Sequence, residues 1–367
     1  MTSSKDKVLH ILYSGLGGPG SVFFTLVNAD KNNDFEHIVI FCGIEPLVID
    51  YEHQCISKGI PYWYIHKNKG FDVVIYFRIL KILFRQRPNI ILLHGASFIL
   101  PVILYRILFF RSKIFLRDTQ AHHLKSKSDW FWFRWAIIWC RKVIVLTEAS
   151  AEYLKNKFQR ATYKKIIIIS NGINTERYAP AVFRPFSQRI IIGMQSRLQK
   201  IKDHPTLFKA FDLVVHRKPN LDLYLYIAGD GDTRKQLENA ILELKMESRI
   251  KLCGTLSESK LIEFMQSLDI YVQATMGETM SNSVIQAFSC GLPVIASDVW
   301  GINNMVFHEK NGLLYASGDI EALANGIIRL IDDASLRDSL AKNAREYALT
   351  HFSGFVMYNR YKKLFLN

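Results

Sequence analysis

The chain has 367 residues, 49% of them hydrophobic, and a formal net charge of +14. This length predicts two domains, and the basic excess predicts attraction to anionic partners such as membrane lipid, nucleic acid or phosphorylated substrates. The five cysteines are scattered and include no CxxC pair. This argues against a zinc site or a disulfide framework and favours a reducing cytoplasm.

No stretch of the sequence predicts a signal peptide or a membrane-spanning helix. The apolar run that ends at Tyr13 is too short for a signal peptide and resembles a first strand. The most hydrophobic stretch, residues 96–110, is interrupted by Pro101 and Arg106. It falls short of the roughly 20 residues that a spanning helix needs.

Apolar strand-like runs alternate with helical patterns through the first half, which predicts a parallel, doubly wound sheet. The predicted strands are residues 8–13, 37–42, 62–65, 89–93, 113–116, 142–146 and 165–169. A glycine-rich turn containing Gly17 and Gly18 follows the first strand, either as a ligand loop or as a tight turn. His94 follows the fourth strand at the predicted carboxyl edge, as a ligand contact or as a hydrogen-bonded loop residue.

Residues 129–139 carry four of the six tryptophans, and their aromatic side chains spread around the whole predicted helix. The preceding segment, residues 122–128, is basic. Tryptophan beside lysine is typical of a membrane-interface contact, but a helix buried inside the domain would have the same composition. Both interpretations remain open at this stage.

Residues 175–188 contain Pro180 and Pro185 without a sustained period and predict a linker. Strands are predicted beyond it at residues 190–194, 223–228, 250–253, 270–273 and 292–296. Arg197 and Lys202 lie in a strand-to-helix segment at the carboxyl edge, where they could meet a phosphate or serve only as surface cations.

A polar cluster precedes a short apolar helix and a buried strand within residues 277–298. The cluster consists of Gly277, Glu278, Thr279, Ser281, Asn282 and Ser283. Backbone N–H groups at a helix N-terminus can hold an anion or a polyol, and a simple capped helix is the alternative. The helix is predicted to end at Cys290-Gly291, since glycine is common just beyond a helix end.

The order of five motifs resembles glycosyltransferase family 4, whose members have the GT-B fold. The motifs are SNGINTERYAP, GMQSRLQKIKD, IAGDGDTRKQLE, SLDIYVQAT and GETMSNSVIQAFSCGLPVIAS. The resemblance implies an α/β architecture with two Rossmann-like, doubly wound parallel-sheet domains facing a cleft. It implies an acceptor domain at residues 1–178, a nucleotide-sugar donor domain at 189–345, and a C-terminal helix at 346–367 that packs back on the first domain.

The resemblance also implies roles for particular residues. Arg197 and Lys202 would bind the donor diphosphate, and Glu278 would bind hydroxyls of the transferred sugar; these three are the candidate catalytic residues. Further donor-side residues would be Gly229, Thr279, Ser281, Asn282, Ser283 and Gln286. Acceptor-side residues would be Gly17, Gly18, His94 and His122. No metal and no cofactor are expected, and the first choice of donor is a UDP-sugar.

The chain departs from the family pattern at three places. Gln286 stands where the second glutamate of the E-x7-E signature usually clasps the ribose, and it keeps one acceptor oxygen without a charge. Asn304 stands where relatives often carry an acidic residue. The second acceptor-side histidine of the family is replaced by Arg117-Asp118-Thr119, with His122 a few residues later.

These observations predict a retaining, metal-independent glycosyltransferase that moves a sugar to a hydroxyl of a glycan or lipid-linked oligosaccharide in cell-surface polysaccharide, lipopolysaccharide or capsule biosynthesis. The protein is expected to be cytoplasmic and peripheral on an anionic inner-leaflet membrane surface, without a nucleic-acid partner. The alternatives are a GT-B phosphorylase or sugar-nucleotide epimerase, and a non-enzymatic binder of membrane or nucleic acid. The last lacks recognisable nucleic-acid motifs.

Overall fold

The computed structural model describes residues 5–15, 17–68, 70, 72–158, 163–182 and 189–367, excluding the side chain of His123. The chain divides into two compact units. The first comprises Met1–Gly172 together with Gly354–Asn367, and the second comprises Ile173–Ser353. Leu16 in the predicted glycine-rich turn, and residues 183–188 of the predicted linker, lie outside the described residues.

The first unit is built on a parallel sheet of seven strands in the order β3-β2-β1-β4-β5-β6-β7. The strands are β1 (Asp6–Tyr13), β2 (Phe35–Gly43), β3 (Tyr62–His66), β4 (Ile90–Leu93), β5 (Lys113–Arg117), β6 (Lys142–Val145) and β7 (Ile166–Ile168). The helices are α1 (Gly18–Ala29), α2 (Ile49–Ser57), α3 (Val73–Gln86), α4 (Ile99–Leu108), α5 (Lys127–Trp139) and α6 (Glu148–Phe158), with α13 (Gly354–Leu366) from the end of the chain.

Apolar strand residues of this sheet are buried on both faces, as a parallel sheet requires. One core contains residues of α3, α4, α5 and α6, and the cores on the other face contain residues of α1, α2 and α13. Tyr361 and Phe365 of α13 pack with Val8, Leu92 and Phe115 of the sheet. The last helix therefore completes the first unit.

The second unit has a parallel sheet of six strands in the order β10-β9-β8-β11-β12-β13. The strands are β8 (Arg189–Gln195), β9 (Asp222–Ala228), β10 (Ile250–Gly254), β11 (Ile270–Gln273), β12 (Val294–Ser297) and β13 (Leu313–Tyr315). The helices are α7 (His204–Arg217), α8 (Arg234–Glu243), α9 (Glu258–Ser267), α10 (Asn282–Ser289), α11 (Ile320–Asp332) and α12 (Ala334–His351).

The predicted fold class, two doubly wound parallel sheets, is confirmed. Each of the twelve strands predicted from apolar runs is present, and β13 was missed because it has only three residues. The segment 346–367 was predicted as one helix, but α12 continues to His351, with Ala344 and Ala348 buried in the second unit. Only the residues from Gly354 onward belong to the first unit.

Candidate functional site

Two loops meet where the strand order of the second sheet reverses, between β8 and β11. The loop after β8 contains Arg197 and Lys202, and the loop after β11 contains Glu278. The N–H of Met276 donates to Ile201 O at 2.8 Å and joins the two loops. Open parallel sheets bind ligands at this kind of position, outside the carboxyl ends of the strands.

Lys202 and Glu278 form an ion pair through Nζ and Oε1. Each side chain is 16% exposed, so the pair is shielded on most sides and still reachable from solvent. Gln273 Nε2 lies 3.4 Å from the same carboxylate oxygen. Because an ammonium group has three N–H donors, Lys202 can hold Glu278 and also donate to an anion that enters beside it.

Two hydroxyl groups orient the amide of Gln273. Tyr271 Oη donates to Gln273 Oε1 at 2.8 Å, and Ser283 Oγ donates to the same oxygen at 3.0 Å. The NH2 group must therefore face Glu278. Burial raises the pKa of Tyr271 well above its usual range, which keeps the phenol a donor. The sequence interpretation missed Gln273 and Tyr271, although a polar residue at the carboxyl end of an apolar strand was a usable signal.

Arg197 is exposed at the start of the β8 loop, and Gly229 lies against the same loop. Gly229 has a φ of +135°, and a Cβ there would lie 1.8 Å from Ser196 O, so only glycine fits. Ser196 Oγ contacts Nε2 of the buried His204 at 2.9 Å. Burial, and to a lesser extent Lys202, lowers the pKa of His204 to about 4 and keeps the ring neutral.

The turn that leads into α10 carries the polar residues assigned to the donor side, Thr279, Ser281, Asn282 and Ser283. Ser281 is the N-cap: its Oγ accepts from Val284 N at 3.4 Å. It also lies 3.0 Å from Ser283 Oγ. The helix is thus capped by Ser281, as the capped-helix interpretation predicts, and the polar residues directly follow Glu278 in the sequence.

Gln286 lies further along α10 and is only 7% exposed. Its Oε1 is buried and has no hydrogen-bond partner among the described residues. Burial raises the pKa of the neighbouring Tyr178, and a hydrogen bond with Gln286 opposes that shift. A buried acceptor without a donor costs about 1–3 kcal/mol. Gln286 Oε1 therefore lacks the donor that a buried acceptor normally has; Asn304 Nδ2 is also buried without a partner among the described residues.

The strand order of the first sheet reverses between β1 and β4, and the glycine turn and His94 follow these two strands. Gly17 is the N-cap of α1, and Gly18 is the first residue of that helix. Tyr51 Oη donates to Gly17 O at 3.1 Å, and a Cβ at Gly20 would lie 2.3 Å from the Tyr51 ring. Close packing of α1 on Tyr51 thus accounts for the glycine at position 20.

Three histidines, His94, His10 and His37, form a row through the first unit, which we call the histidine row. Arg117 Nη1 lies 3.3 Å from His94 Nδ1, and His94 Nε2 lies 3.4 Å from His10 Nδ1. His10 Nε2 lies 3.1 Å from His37 Nδ1. At the far end, His37 Nε2 lies 3.4 Å from Asp30 Oδ2.

The guanidinium at one end determines the tautomers of the row. Since Arg117 can only donate, His94 Nδ1 must accept, so the proton of His94 is on Nε2. The same reasoning places the protons of His10 and His37 on Nε2. His94 and His10 thus each donate to the next ring, and the N–H of His37 lies near Asp30 without the geometry of a hydrogen bond. Burial lowers the pKa values of His10 and His94 well below their usual range. The neighbouring histidines lower the pKa of His10 further, and Arg117 lowers that of His94 further.

His122 lies in a different environment from His94. Its Nε2 is 3.3 Å from Asp118 Oδ2, and its ring stacks on Tyr153 with the centroids 4.4 Å apart. Lys125 Nζ donates to the other oxygen of Asp118 at 2.6 Å. His122 is buried in these contacts, and Arg117 is the residue that contacts His94.

The tryptophan-rich helix α5 is partly a core helix. Phe133, Ala136 and Ile137 are buried in the first-unit core, and Trp130, Trp132 and Trp139 pack against it. Phe131, Trp135 and Ile138 remain exposed on its outer side. Both interpretations of the helix therefore retain support. Within the described residues, no helix has the length and apolar character to cross a bilayer.

The two sheets and the loops at their reversal points are those of a GT-B protein. Residues 16–177 match the family model "Glycosyltransferase Family 4", and residues 179–347 match "Glycosyl transferases group 1". The two models together cover most of the chain, which therefore belongs to the glycosyltransferases that combine these two domains.

Curated relatives and solved structures agree with this assignment. The chain is 26% identical over 213 residues to UDP-Gal:alpha-D-GlcNAc-diphosphoundecaprenol alpha-1,3-galactosyltransferase of Escherichia coli, covering 55% of this chain and 54% of the relative. It is 29% identical over 214 residues to the lipopolysaccharide core biosynthesis glycosyltransferase LpsD of Rhizobium meliloti, covering 57% and 60%. The chain thus spans little more than half the length of these relatives. The structure of Anabaena HepE in complex with UDP and glucose has a TM-score of 0.82 at 18% identity, covering 98% of this chain and 99% of HepE.

Proposed function

We propose that this protein is a hexosyl- or related glycosyltransferase that moves a sugar, with retention, from a nucleoside-diphosphate sugar to a hydroxyl of a glycan or lipid-linked oligosaccharide. The observation that carries the proposal is the contact between Lys202 and Glu278 at the reversal point of the second sheet. The cation that would bind the diphosphate is thus in contact with the carboxylate that would accept from sugar hydroxyls. Arg197, in the same loop as Lys202, would add a second cation.

The reaction breaks the bond between the anomeric carbon and a phosphate oxygen, so negative charge grows on the leaving diphosphate. Arg197 and Lys202 would stabilise that charge, and one such preorganised donor contributes about 3–4 kcal/mol to lowering the barrier. For retention we propose attack on the face from which the diphosphate departs. The acceptor oxygen forms the new bond to the anomeric carbon, and its proton passes to the departing phosphate. These steps require neither a metal nor a further cofactor.

The remaining donor contacts are assigned by position. Gly229, Thr279, Ser281, Asn282 and Ser283 would surround the diphosphate and sugar, and Gln286 Oε1 would accept from a ribose hydroxyl. Because Gln286 is uncharged, this contact is about half as strong as that of a carboxylate. A UDP-sugar is the first choice of donor, since the name of the E. coli relative specifies UDP-Gal and HepE was solved with UDP.

We place acceptor recognition in the first unit, around Gly17, Gly18, His94 and His122. A lipid-linked acceptor is supported by the name of the E. coli relative, which specifies a diphosphoundecaprenol substrate. The exposed apolar residues of α5 and the +14 net charge support a peripheral position on the anionic cytoplasmic face of a membrane. The family assignment favours transfer over the phosphorylase and epimerase alternatives.

The proposal is tested by incubating the protein with labelled UDP-, GDP- and ADP-sugars and a lipid-linked acceptor. Wild type is expected to transfer or hydrolyse one donor, and Lys202→Ala to lose at least 99% of that rate. Lys218→Ala is a matched control, because Lys218 forms a comparable ion pair with Asp332 on the surface of the same unit. Full activity in Lys202→Ala would refute the assignment.

A further inference from the structure

A pocket of about 470 Å³ lies in the first unit, at the amino edge of its sheet. Its lining includes the start of β5 and the residues just before β6 and β7. Five of the lining residues are basic, and none is aspartate or glutamate: the basic ones are Arg106, Arg111, Lys113, Arg141 and Lys165. The pocket is therefore distinct from the reversal point of this sheet, which lies at the carboxyl edge.

Within the described part of the chain, the hydrogen bonds of these cations are with main-chain oxygens and not with acidic side chains: Arg141 Nη2 donates to Asn367 O at 2.5 Å. Lys165 Nζ donates to Ile137 O and Ile138 O at 2.8 Å, and Lys113 Nζ donates to Phe365 O at 2.8 Å, so both contact the ends of helices. Among the described residues, none of the five basic side chains forms a salt bridge with aspartate or glutamate. Arg106 Nη1 is buried and has no hydrogen-bond partner there.

The surrounding sequence strengthens this charge imbalance. Residues 73–117, which form α3, β4, α4 and β5, contain eight lysines and arginines and not one aspartate or glutamate. Cations held close together repel one another, and a buried donor such as Arg106 Nη1 is normally paired. The pocket thus has the composition of a site whose counter-charge comes from a bound anion.

Exposed apolar side chains border the pocket. Phe110 and Ile138, both in its lining, are 70% and 64% exposed. A second pocket of about 250 Å³ shares Phe110 and Arg111 with it and adds Leu108, which is 65% exposed. Cations beside exposed apolar residues are typical of surfaces that lie at the boundary between lipid headgroups and acyl chains. A soluble phosphate would leave these apolar groups in water.

We propose that this basic pocket binds the phosphate of an anionic membrane lipid, while Phe110 and Ile138 enter the boundary between headgroups and acyl chains. The inference rests on the proposed membrane placement and specifies the part of the first unit that contacts the bilayer. This contact lies at the amino edge of the first sheet and includes none of the sugar-transfer residues.

The test measures flotation of the full chain with phosphatidylglycerol-containing vesicles and with pure phosphatidylcholine vesicles. Wild type is expected to bind only the former. Each cation near an anionic surface contributes about a fivefold factor in binding, so R106Q/R111Q should bind about twentyfold more weakly. Circular dichroism and the thermal midpoint check folding. R106K/R111K, which keeps both charges, should retain most of the binding and would show that a loss in the glutamine variant is not misfolding.

Arg78 and Lys127, exposed cations that do not line the pocket, provide the matched control. R78Q/K127Q has the same net charge as the pocket variant and should lose less than threefold. Equal losses in both variants would overturn the proposal, because the whole basic surface would then be responsible. Binding of inorganic phosphate to the full chain that R106Q/R111Q abolishes, with no binding to phosphatidylglycerol vesicles, would also overturn it, since the site would then take a free phosphate.

This experiment is independent of sugar transfer. If R106Q/R111Q loses vesicle binding, the lipid site stands even where no transferase activity is found. If the transferase is active and neither variant changes vesicle binding, the lipid site is wrong and the proposed reaction is unaffected.

Discussion

Gln286 is a buried residue, 7% exposed, whose side-chain oxygen lacks a hydrogen-bond donor among the described residues. An uncharged amide tolerates this better than a carboxylate, because a buried unpaired charge is more costly to desolvate. A ribose hydroxyl from the proposed donor would satisfy the oxygen. In the proposed site, a glutamine in place of a glutamate would thus weaken nucleotide binding and stabilise the protein without nucleotide.

Gln286→Glu tests this interpretation. A carboxylate would form a charge-assisted hydrogen bond to the ribose, roughly twice as strong, so the affinity for UDP should rise about fivefold to tenfold. Without nucleotide, the buried charge should lower the thermal midpoint. Calorimetric titration with UDP and thermal unfolding measure the two effects. The apolar control Gln286→Leu should fold and bind UDP more weakly than wild type; unchanged UDP affinity in both variants would place the ribose elsewhere.

The histidine row predicts how stability depends on pH. The pKa values of His10 and His94 are lowered in the folded protein, so below about pH 6.5 the unfolded chain binds protons that the folded chain does not. The free energy of unfolding should therefore fall as the pH drops from 6.5 towards 5, by about 1.4 kcal/mol per pH unit for each such proton. Burial raises the pKa of Asp30, but the contact with His37 and hydrogen bonds from neighbouring groups outweigh burial and lower the pKa, so Asp30 contributes only at more acidic pH.

His10→Phe removes one of these protons while keeping a ring beside Phe23. The slope of stability against pH between 6.5 and 5 should become shallower by about 1.4 kcal/mol per pH unit. Urea unfolding followed by tryptophan fluorescence measures it in the first unit, which contains five of the six tryptophans. Identical slopes for variant and wild type would show that His10 does not remain neutral in the folded state.

At single positions, the sequence predicted residues that stand in recognisable motifs, such as Arg197, Lys202 and Glu278. It did not predict Gln273, whose amide contacts Glu278, or His10 and His37, which continue the histidine row from His94. Each of these residues is a polar residue inside an apolar strand, and a strand pattern alone does not show which residues its side chain contacts. Those neighbours come from adjacent strands far apart in the chain.

The loop that holds Glu278 depends on a glycine from another element. Glu278 N donates to Trp300 O at 3.1 Å. Gly301, the next residue, has a φ of +88°, and a Cβ there would lie 2.0 Å from Glu278 O. The loop after β12 thus approaches the main chain of Glu278 more closely than any side chain would permit. Gly318 has a similar φ of +83° but nothing within 4 Å of its Cβ position.

Gly301→Ala should therefore displace the Glu278 loop and weaken binding of a nucleotide-sugar at least tenfold. Gly318→Ala is the matched control, because it introduces the same unfavourable φ without a clash and should cost only about 1–2 kcal/mol of stability. Binding is measured by calorimetric titration and stability by urea unfolding. Equal binding by the two variants would show that the close approach of Gly301 does not position Glu278.

Among the elements, strands and helix ends with strong local signals were predictable. Helix α10 has the Ser281 cap and ends at Cys290, followed by Gly291 with a φ of +67°, as its sequence indicated. Helix α1 begins at Gly18, within the glycine-rich turn, and Pro19 is tolerated in its first turn. Strand β13 was missed since its three residues have no period of their own.

For the whole molecule, the alternation of strands and helices determined the fold class, and the order of motifs indicated the family. The alternation showed neither the basic pocket nor the return of α13 to the first sheet, and the return was expected only from the family resemblance. The pocket is lined by residues from α4 and β5 and by residues just before β6 and β7. Helix α13 packs on the first sheet although the whole second unit separates the two in the sequence. Such contacts depend on tertiary packing, which one-dimensional periodicity does not record.

The central claim is that Lys202 and Glu278 form a nucleotide-sugar site, and a thermal-shift titration tests it most directly. Ligand bound only to the folded state stabilises it by about 2.7 kcal/mol at a hundredfold excess over Kd. With UDP, GDP, ADP and their sugars, we predict a concentration-dependent rise in the wild-type midpoint for one nucleotide family, UDP first. The rise should be preserved in Lys218→Ala and abolished in Lys202→Ala and Glu278→Ala. An absence of any shift in wild type, or an equal shift in Lys202→Ala, would contradict the account.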